Sequence, residues 1–465
     1  GLGAAGASAA IEAATAGAEV EVLELASAGG GTTALAGGQI YLGGGTPIQK
    51  ACGFEDSAEA MYEYLLMAAG PNADHAKVRA YVDDSLAHYD WLVAHGVEFN
   101  PVYYPHKDTN TPNDESLIYS GNEECHGYRD RAAPVPRGHK PKAMGEDGGA
   151  TLMRALIADL EARPGVTLTC DARVLTLILD GRRVVGAMAR IDGEVVAIRA
   201  RRGVVLCAGG FIFNDTMIDQ HAPRLKVINT PLGNPGDDGT GIRLGLGAGG
   251  AAINMHEGFM CLPFYPPASH VKGIMVNGQG QRFVNEDCYH GQMAHHAVNQ
   301  PNGKVYLLVD ESLYQQPPDY AGIVVKEVGD SIEELERDAG FAEGTLASTL
   351  AVYNTFAARG EDPLFHKQAS YLQVLKPPFV LLDCSLQAGG CMYSGFTFGG
   401  LNTRVTGEVL DHGGQPVPGL YAAGRNTAGL PRSGEGYSSG MSIGDATYFG
   451  RRAGQSAASH KPQAL

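Results

Sequence analysis

The sequence predicts an α/β fold in which a Rossmann-like domain, a parallel sheet with helices, is interrupted by an α+β substrate domain. Three observations carry this reading. The chain opens on a glycine loop, Gly1-Leu-Gly-Ala-Ala-Gly6, followed by an alanine-rich stretch and the strand-like Glu19-Val-Glu-Val-Leu-Glu24. A second glycine-rich loop follows an apolar strand near the other end, Gly419-Leu-Tyr-Ala-Ala-Gly-Arg425, and runs on to Gly436-Tyr-Ser-Ser-Gly-Met-Ser-Ile-Gly444. Between them, from about Ala251 to Lys376, glycine loops thin out and aromatic residues increase. A chain of 465 residues exceeds what one hydrophobic core usually serves. The expected organisation is residues 1–250 as the first part of the cofactor domain, 251–376 as the insertion and 377–465 as the second part.

The elements follow in order. Gly6 to Ala16 is free of helix breakers and Gly17 closes it, which predicts a short helix after the loop. Glu24 ends the next strand 18 residues after Gly6, near the spacing at which a carboxylate meets a nucleotide ribose. Gly29 to Gly38 then offers small residues and hydroxyls, with Gly30, Thr32, Thr33, Ala36, Gly37 and Gly38 as candidate cofactor contacts. Helices are expected over Ser57–Ala69, Asp74–His95 and Ala150–Glu161, and strands at Val166–Thr169, Val174–Leu179 and Val184–Arg190. Another buried strand runs from Arg201 into Ala208-Gly209-Gly210, and the loop Gly236-Asp-Asp238-Gly opens a helix. In the insertion, Gly273 to Glu286 reads as strand, turn and strand, followed by helices over Ser331–Asp338 and Glu343–Arg359. A final helix begins near Ser442. A dinucleotide loop needs a strand before it, so the natural chain is expected to carry apolar residues ahead of Gly1, where any targeting signal would lie.

A formal charge of −16 argues against nucleic acid as a partner, since phosphate backbones call for a basic surface. No apolar run approaches the roughly 20 residues of a membrane span. The eight cysteines are scattered without a Cys-x-x-Cys pair, which reads as reduced thiols in a cytoplasmic protein and lacks the spacing of zinc or iron–sulfur sites. His290, His295 and His296 have no carboxylate at matching helical spacing, so no metal is expected.

Glycine loops before helices aim unpaired N–H groups and a positive helix end at something electron-rich. Two such devices at opposite ends of one chain imply a single large cofactor gripped twice, and FAD is the natural candidate. The contacts expected are Gly1, Gly3, Ala4, Ala5, Gly6 and Glu24 at the first grip, Ala208, Gly209 and Asp238 in the middle, and Gly424, Arg425, Gly440, Ser442 and Ile443 at the second. Ser442 and Gly444, at the helix start, are expected beside the flavin ring.

The opening motif, Ala423-Gly424 and Arg282-Phe-Val-Asn-Glu286 resemble the FAD-dependent fumarate reductase and 3-ketosteroid dehydrogenase superfamily. Within it, Ala34 to Gly38 with Tyr41 to Pro47, Ala133 to His139, Gly436 to Gly440 and Gly450 to Gly454 look most like the 3-ketosteroid Δ4-(5α)-dehydrogenases. The departures agree. No arginine follows Glu286 to hold a dicarboxylate, and Gly31-Thr32-Thr33 has no histidine for a covalent flavin link, so FAD is expected to bind without a covalent bond. Arg425 stands where the superfamily commonly has an acid. The resemblance implies that Tyr437, with backbone or Ser439 support, bonds the C3 ketone, that Tyr289 removes the C4 proton, and that hydride passes from C5 to flavin N5. A tyrosine of ordinary pKa near 10 is a poor base at neutral pH, so Tyr289 would need a lowered pKa or a proton relay. The implied partners are an apolar steroid, an external electron acceptor or donor and, for reaching a lipophilic substrate, a membrane surface. Tyr119 and the run Phe259–Pro267 are candidate pocket walls. The alternatives are an ene-reductase of the fumarate or urocanate type, a Δ1-dehydrogenase, and a non-catalytic flavin module.

Overall fold

A computed structural model of the protein describes residues 1–386 and 390–460. Alanine-rich helix Ala4–Thr15 forms directly after the opening loop and is buried along most of its length. It packs against the closing helix, Met441–Ser459, backbone to backbone. Gly450 and Gly454, four residues apart, face Ala5 and Ala9: a Cβ on Gly450 would sit 2.5 Å from the Ala5 carbonyl oxygen, and one on Gly454 would collide with that of Ala9. Only glycine allows this approach. The crossing sets the first turn of the opening helix against the middle of the closing one, two elements widely separated in sequence.

Around this pair stand two small parallel ladders. Strand Val20–Leu23 pairs with Val166–Thr169, and Val204–Leu206 pairs with Pro416–Ala422. The antiparallel strands Arg173–Asp180, Arg183–Ile191 and Glu194–Arg199 form a separate three-stranded sheet. The sheet structure is therefore mixed, with parallel pairing concentrated where the glycine loops are. A four-stranded antiparallel sheet in the order Ile274–Asn277, Val305–Asp310, Phe379–Asp383, Val324–Gly329 organises the aromatic-rich part of the chain. Its strand Val305–Asp310 is buried at every position, and helices Ile332–Ala339 and Thr345–Ala357 contribute Leu335, Leu346 and Leu350 to its core. Phe379–Asp383 belongs to this sheet although it follows Lys376.

Two local expectations change. The single helix expected over 74–95 is two, His75–Asp83 and Ser85–Ala94, broken at Asp84. Asp74 caps the first through the Lys77 N–H, and the Asp84 carboxylate accepts from the Tyr448 hydroxyl at 2.6 Å. The second strand expected before Glu286 is replaced by one bridge between Val276 and Arg282, because Arg282 turns inward. Its guanidinium pairs with Glu286 at 2.6 Å and Asp362 at 2.8 Å, and Lys367 reaches Glu286 at 3.2 Å. Burial opposes ionisation of Glu286, but Arg282 and Lys367 outweigh it and hold the carboxyl below its usual range. This buried knot anchors the chain immediately before Tyr289.

Candidate active site

The two helix ends face one cavity of about 2130 Å³. A single small-molecule site usually occupies roughly 300–1,000 Å³, so this volume admits a large ligand with a second beside it. It extends between strands Val20–Leu23 and Val204–Leu206 at one end and reaches an aromatic wall at the other.

The residues at the first end suit an anionic dinucleotide. A Cβ on Gly6 would collide with the Gly1 carbonyl, and one on Gly1 with the Cys207 carbonyl, whereas a Cβ on Gly3 would meet nothing closer than 3.9 Å. The turn is tight on its inner side and open on the face a pyrophosphate must approach. Among the described residues, the N–H groups of Ala5 and Gly6 find no protein acceptor, as expected of the first turn of a helix aimed at a ligand. Glu24 is buried at the cavity wall, one carboxylate oxygen accepting from the Leu2 N–H and the other from the Ala26 N–H at 2.9 Å. Each oxygen keeps a lone pair for a ribose hydroxyl. The Thr32 hydroxyl donates to Asp237 at 2.7 Å, and Asp237 also pairs with Arg425, whose guanidinium lies over the Phe396 ring at 5.1 Å. These residues fit FAD.

At the other end the closing helix starts at Met441 with Gly440 in the left-handed conformation, φ 96°. A Cβ on Gly440 would lie 2.6 Å from the Tyr41 backbone nitrogen, so the loop can sit this close to Tyr41 only as glycine. Tyr437 lies in the loop before it, buried among Phe259, Phe398 and Phe396 at ring-centroid distances of 4.7, 5.2 and 5.7 Å. Its hydroxyl donates to Ser442 Oγ at 3.2 Å, at the helix's positive end. Tyr289 immediately precedes helix His290–Ala297 and is stacked on Phe259. Its hydroxyl meets Ser439 Oγ at 2.5 Å.

Burial pushes both phenols up. Tyr289 stands well above its ordinary value, raised by burial and then by Tyr437 and Cys261, with Ser439 pulling the other way. Tyr437 is raised by burial and partly relieved by the hydroxyl and backbone N–H of Ser442. His290, packed 3.9 Å from the Tyr289 ring, is driven down to about 3 by burial and by Lys107, so it is neutral. Four of the five lining arginines lie in 173–202, and the fifth, Arg425, is paired with Asp237. The end of the cavity that holds Tyr289 and Tyr437 thus offers two neutral hydroxyls on an aromatic wall with no unpaired lining arginine beside it.

Tyr289, Tyr437 and Ser439 line this one cavity, as do Gly1, Gly3, Ala4, Ala5, Gly6, Glu24, Thr32, Thr33, Ala36, Gly37, Gly38, Ala208, Gly209, Asp238, Gly424, Arg425, Gly440, Ser442 and Ile443. Gly30 does not line it; its N–H donates to the Leu2 carbonyl and Gly31 faces the cavity instead. Gly444 is turned toward Tyr81, with its N–H spent on the Gly440 carbonyl. Tyr119 donates to the Pro134 carbonyl, away from the cavity. Of Phe259–Pro267, the cavity takes Phe259, Cys261 and Pro263. Ser439 supports Tyr289, not Tyr437, whose partner is Ser442. Sequence reasoning missed Asp237, which has no motif of its own and is brought to Thr32 and Arg425 only by folding. The eight cysteines are free, and among the described residues no cluster of three His, Cys, Asp or Glu side chains suits a metal. His295 and His296 instead close on Glu435, each at 3.5 Å.

Residues 1–439 match the family described as "FAD binding domain". The crystal structure of 3-ketosteroid-Δ4-(5α)-dehydrogenase from Rhodococcus jostii RHA1, in complex with 4-androstene-3,17-dione, superposes with a TM-score of 0.92 at 42% identity, covering 99% of this chain and 96% of that one. The 3-oxo-5-alpha-steroid 4-dehydrogenase of Comamonas testosteroni is 28% identical over 496 residues, 91% of each chain. A fumarate reductase (cytochrome) of Shewanella frigidimarina is 28% identical over 478 residues, 99% of this chain and 76% of that protein.

Proposed function

The chain belongs to the FAD binding domain family, within the fumarate reductase and succinate dehydrogenase flavoprotein superfamily, and on that premise we propose that it desaturates, or in reverse reduces, the C4–C5 bond of a 3-ketosteroid. One observation carries the substrate class. Two hydroxyls, Tyr437 from the closing loop and Tyr289 from the aromatic-rich part, line one aromatic wall whose nearby cation, Arg425, is already paired. That wall suits a rigid apolar ketone and offers no free charge to a dicarboxylate.

In this reading the Tyr437 hydroxyl turns from Ser442 Oγ and donates its hydrogen bond to the C3 carbonyl oxygen. Its raised pKa keeps the donor protonated, and the Ser442 N–H and the end of the helix support the phenol oxygen from behind. Polarising the ketone acidifies the C4 hydrogen, and Tyr289, in the fraction ionised to phenolate, accepts that proton at its phenolic oxygen. Ser439 Oγ, 2.5 Å away, donates to the phenolate form and offsets part of the cost of burying it. The opening loop, Glu24 and the first turn of the closing helix would hold FAD, which when bound supplies the two-electron acceptor for the C5 hydrogen. Phe259, Phe396 and Phe398 exclude water from the reacting edge.

An apolar substrate and an external electron partner follow from the same reading, and a membrane surface is the source it assigns to the steroid. Among the described residues no helix is long and apolar enough to cross a membrane. The eight free thiols support a reducing compartment such as the cytoplasm. The test mixes the oxidised flavin-loaded protein anaerobically with 5α-androstane-3,17-dione and, separately, with succinate. Loss of flavin absorbance with the steroid alone is expected; bleaching by succinate alone would move the protein to the dicarboxylate enzymes.

A further inference from the structure

Behind the two tyrosines runs a buried segment, residues 120–125, that the reaction as described does not use. Asn122 is fully buried and its Oδ1 accepts the backbone N–H of Tyr289 at 2.8 Å. Two residues earlier, the Ser120 carbonyl accepts the Ser439 N–H at 2.8 Å, and the Ser120 hydroxyl donates back to the Ser439 carbonyl at 3.0 Å. The same segment is gripped on both sides. The Asn122 N–H donates to the Tyr64 hydroxyl at 2.8 Å, which in turn meets Ser438 Oγ at 2.7 Å. The Cys125 thiol donates to the Asp287 carbonyl at 3.1 Å. Gly121 lies so close to Ser438 that any Cβ would collide with its hydroxyl.

We infer that Ser120 and Asn122 are positioning residues that set the contact between Tyr289 and Ser439, and so the aim of the proton acceptor. The physical reason is register. Tyr289 and Ser439 lie 150 residues apart on separate loops, yet each is tied through its backbone to the same short segment. Neither loop can shift alone without breaking a buried hydrogen bond. A misplacement near 1 Å at a reacting group is worth roughly 10²-fold in rate. The inference rests on the reading of Tyr289 as proton acceptor.

The test uses the FAD-loaded protein with 5α-androstane-3,17-dione, unlabelled and deuterated at C4. Asn122→Ala is expected to lower kcat by about 100-fold with KM within about threefold and flavin content unchanged. Its isotope effect should rise, because proton removal becomes slower than the other steps. Asn122→Asp, which keeps an acceptor for the Tyr289 N–H, should recover most of the loss. A kcat for Asn122→Ala within twofold of the parent, or a loss with no change in isotope effect, overturns the inference. Should Asn122→Ala fail to fold, Ser120→Ala decides, since it removes one hydroxyl and leaves the backbone bond: a smaller loss with the same isotope signature supports the inference, and none refutes it. Tyr289→Phe separates the two levels. Full activity in that variant sinks the role of Tyr289 and the brace with it, whereas an inactive Tyr289→Phe beside a normal Asn122→Ala sinks the brace alone.

Discussion

At the scale of single residues, the proposed reaction assigns the two tyrosines different work, and their surroundings differ accordingly. Tyr437 meets a helix N-terminus through Ser442, which suits a donor, and its loss removes one hydrogen bond to developing charge. Tyr437→Phe should lower kcat/KM by about 10²–10³-fold while flavin absorbance stays normal; steady-state rates on the steroid with a parallel flavin spectrum check this. Tyr289 has the harder task. Both phenols are raised from their ordinary 10.0, so at neutral pH the proton acceptor is mostly in its unreactive form while the donor is fully protonated. Below the phenol's pKa the ionised fraction grows tenfold per pH unit. The rate kcat/KM should therefore climb with a slope near one between about pH 7 and 9. A plateau starting at pH 6 would assign proton removal to another group. The lowered pKa that neutral-pH base catalysis asks of Tyr289 is not what burial produces, and the compensating feature is the hydroxyl of Ser439.

At the scale of elements, the cofactor grip depends on two helices crossing at contact distance. Gly450 touches the Ala5 backbone, and Ala5 belongs to the first turn whose N–H groups face the cavity. A branched side chain at 450 must push the helices apart and displace the first turn of the opening one. Gly450→Val is expected to cost about 1–3 kcal/mol by overpacking, and to leave the purified protein with less FAD than the parent. Thermal melts and the ratio of flavin to protein absorbance test both. Retained stability and flavin would mean that the crossing tolerates a wider spacing than the backbone contact suggests. The elements themselves were legible from short-range pattern: the alanine run, the strand ending at Glu24 and the helix after Gly440 all depend on neighbouring residues. The break at Asp84 was not, because Asp84 is held from outside its own helix by Tyr448.

Across the whole molecule, buried charges tie distant stretches together. Lys77 sits in a helix of the first hundred residues, fully inside the protein, with its ammonium donating to Thr403 Oγ1 and the Ala428 carbonyl at 2.9 Å each. Burial drives its pKa down to about 8, resisted by Asp445, and burial drives Asp445 up to about 6, resisted by Lys77. The signs are opposite to those of a surface pair. The raised Asp445 contributes stability below its unfolded pKa that is lost as pH rises through 6, and the lowered Lys77 contributes stability at high pH that is lost as pH falls through 8. Between pH 6 and 8 each charge is supported by the other, with Asp74 adding to Lys77 and Arg432 to Asp445. Lys77→Met should destabilise the fold by about 3 kcal/mol at pH 8, where the buried Asp445 keeps only Arg432 and the Leu430 N–H to offset its charge, and by much less at pH 5, where it takes up a proton. Denaturant unfolding at the two pH values measures the difference; equal losses would show that the pair is not coupled.

The α/β class, the glycine loops and the FAD requirement are legible in the sequence by itself, since each is written in a local run such as Gly1 to Gly6 or Gly436 to Gly444; the two tyrosines are proposed from family resemblance. Short-range order is enough there, because a tight turn or an open helix end needs only a few adjacent small residues. Which groups act on one another was decided by tertiary structure alone. Ser439 pairs with Tyr289 and not with its near neighbour Tyr437, Asp237 holds Thr32 and Arg425, and Asn122 fixes the backbone of Tyr289. Those partners lie from more than a hundred to about two hundred residues apart, and no spacing rule spans such distances. Packing of the separate parts of the chain around one cavity chose them.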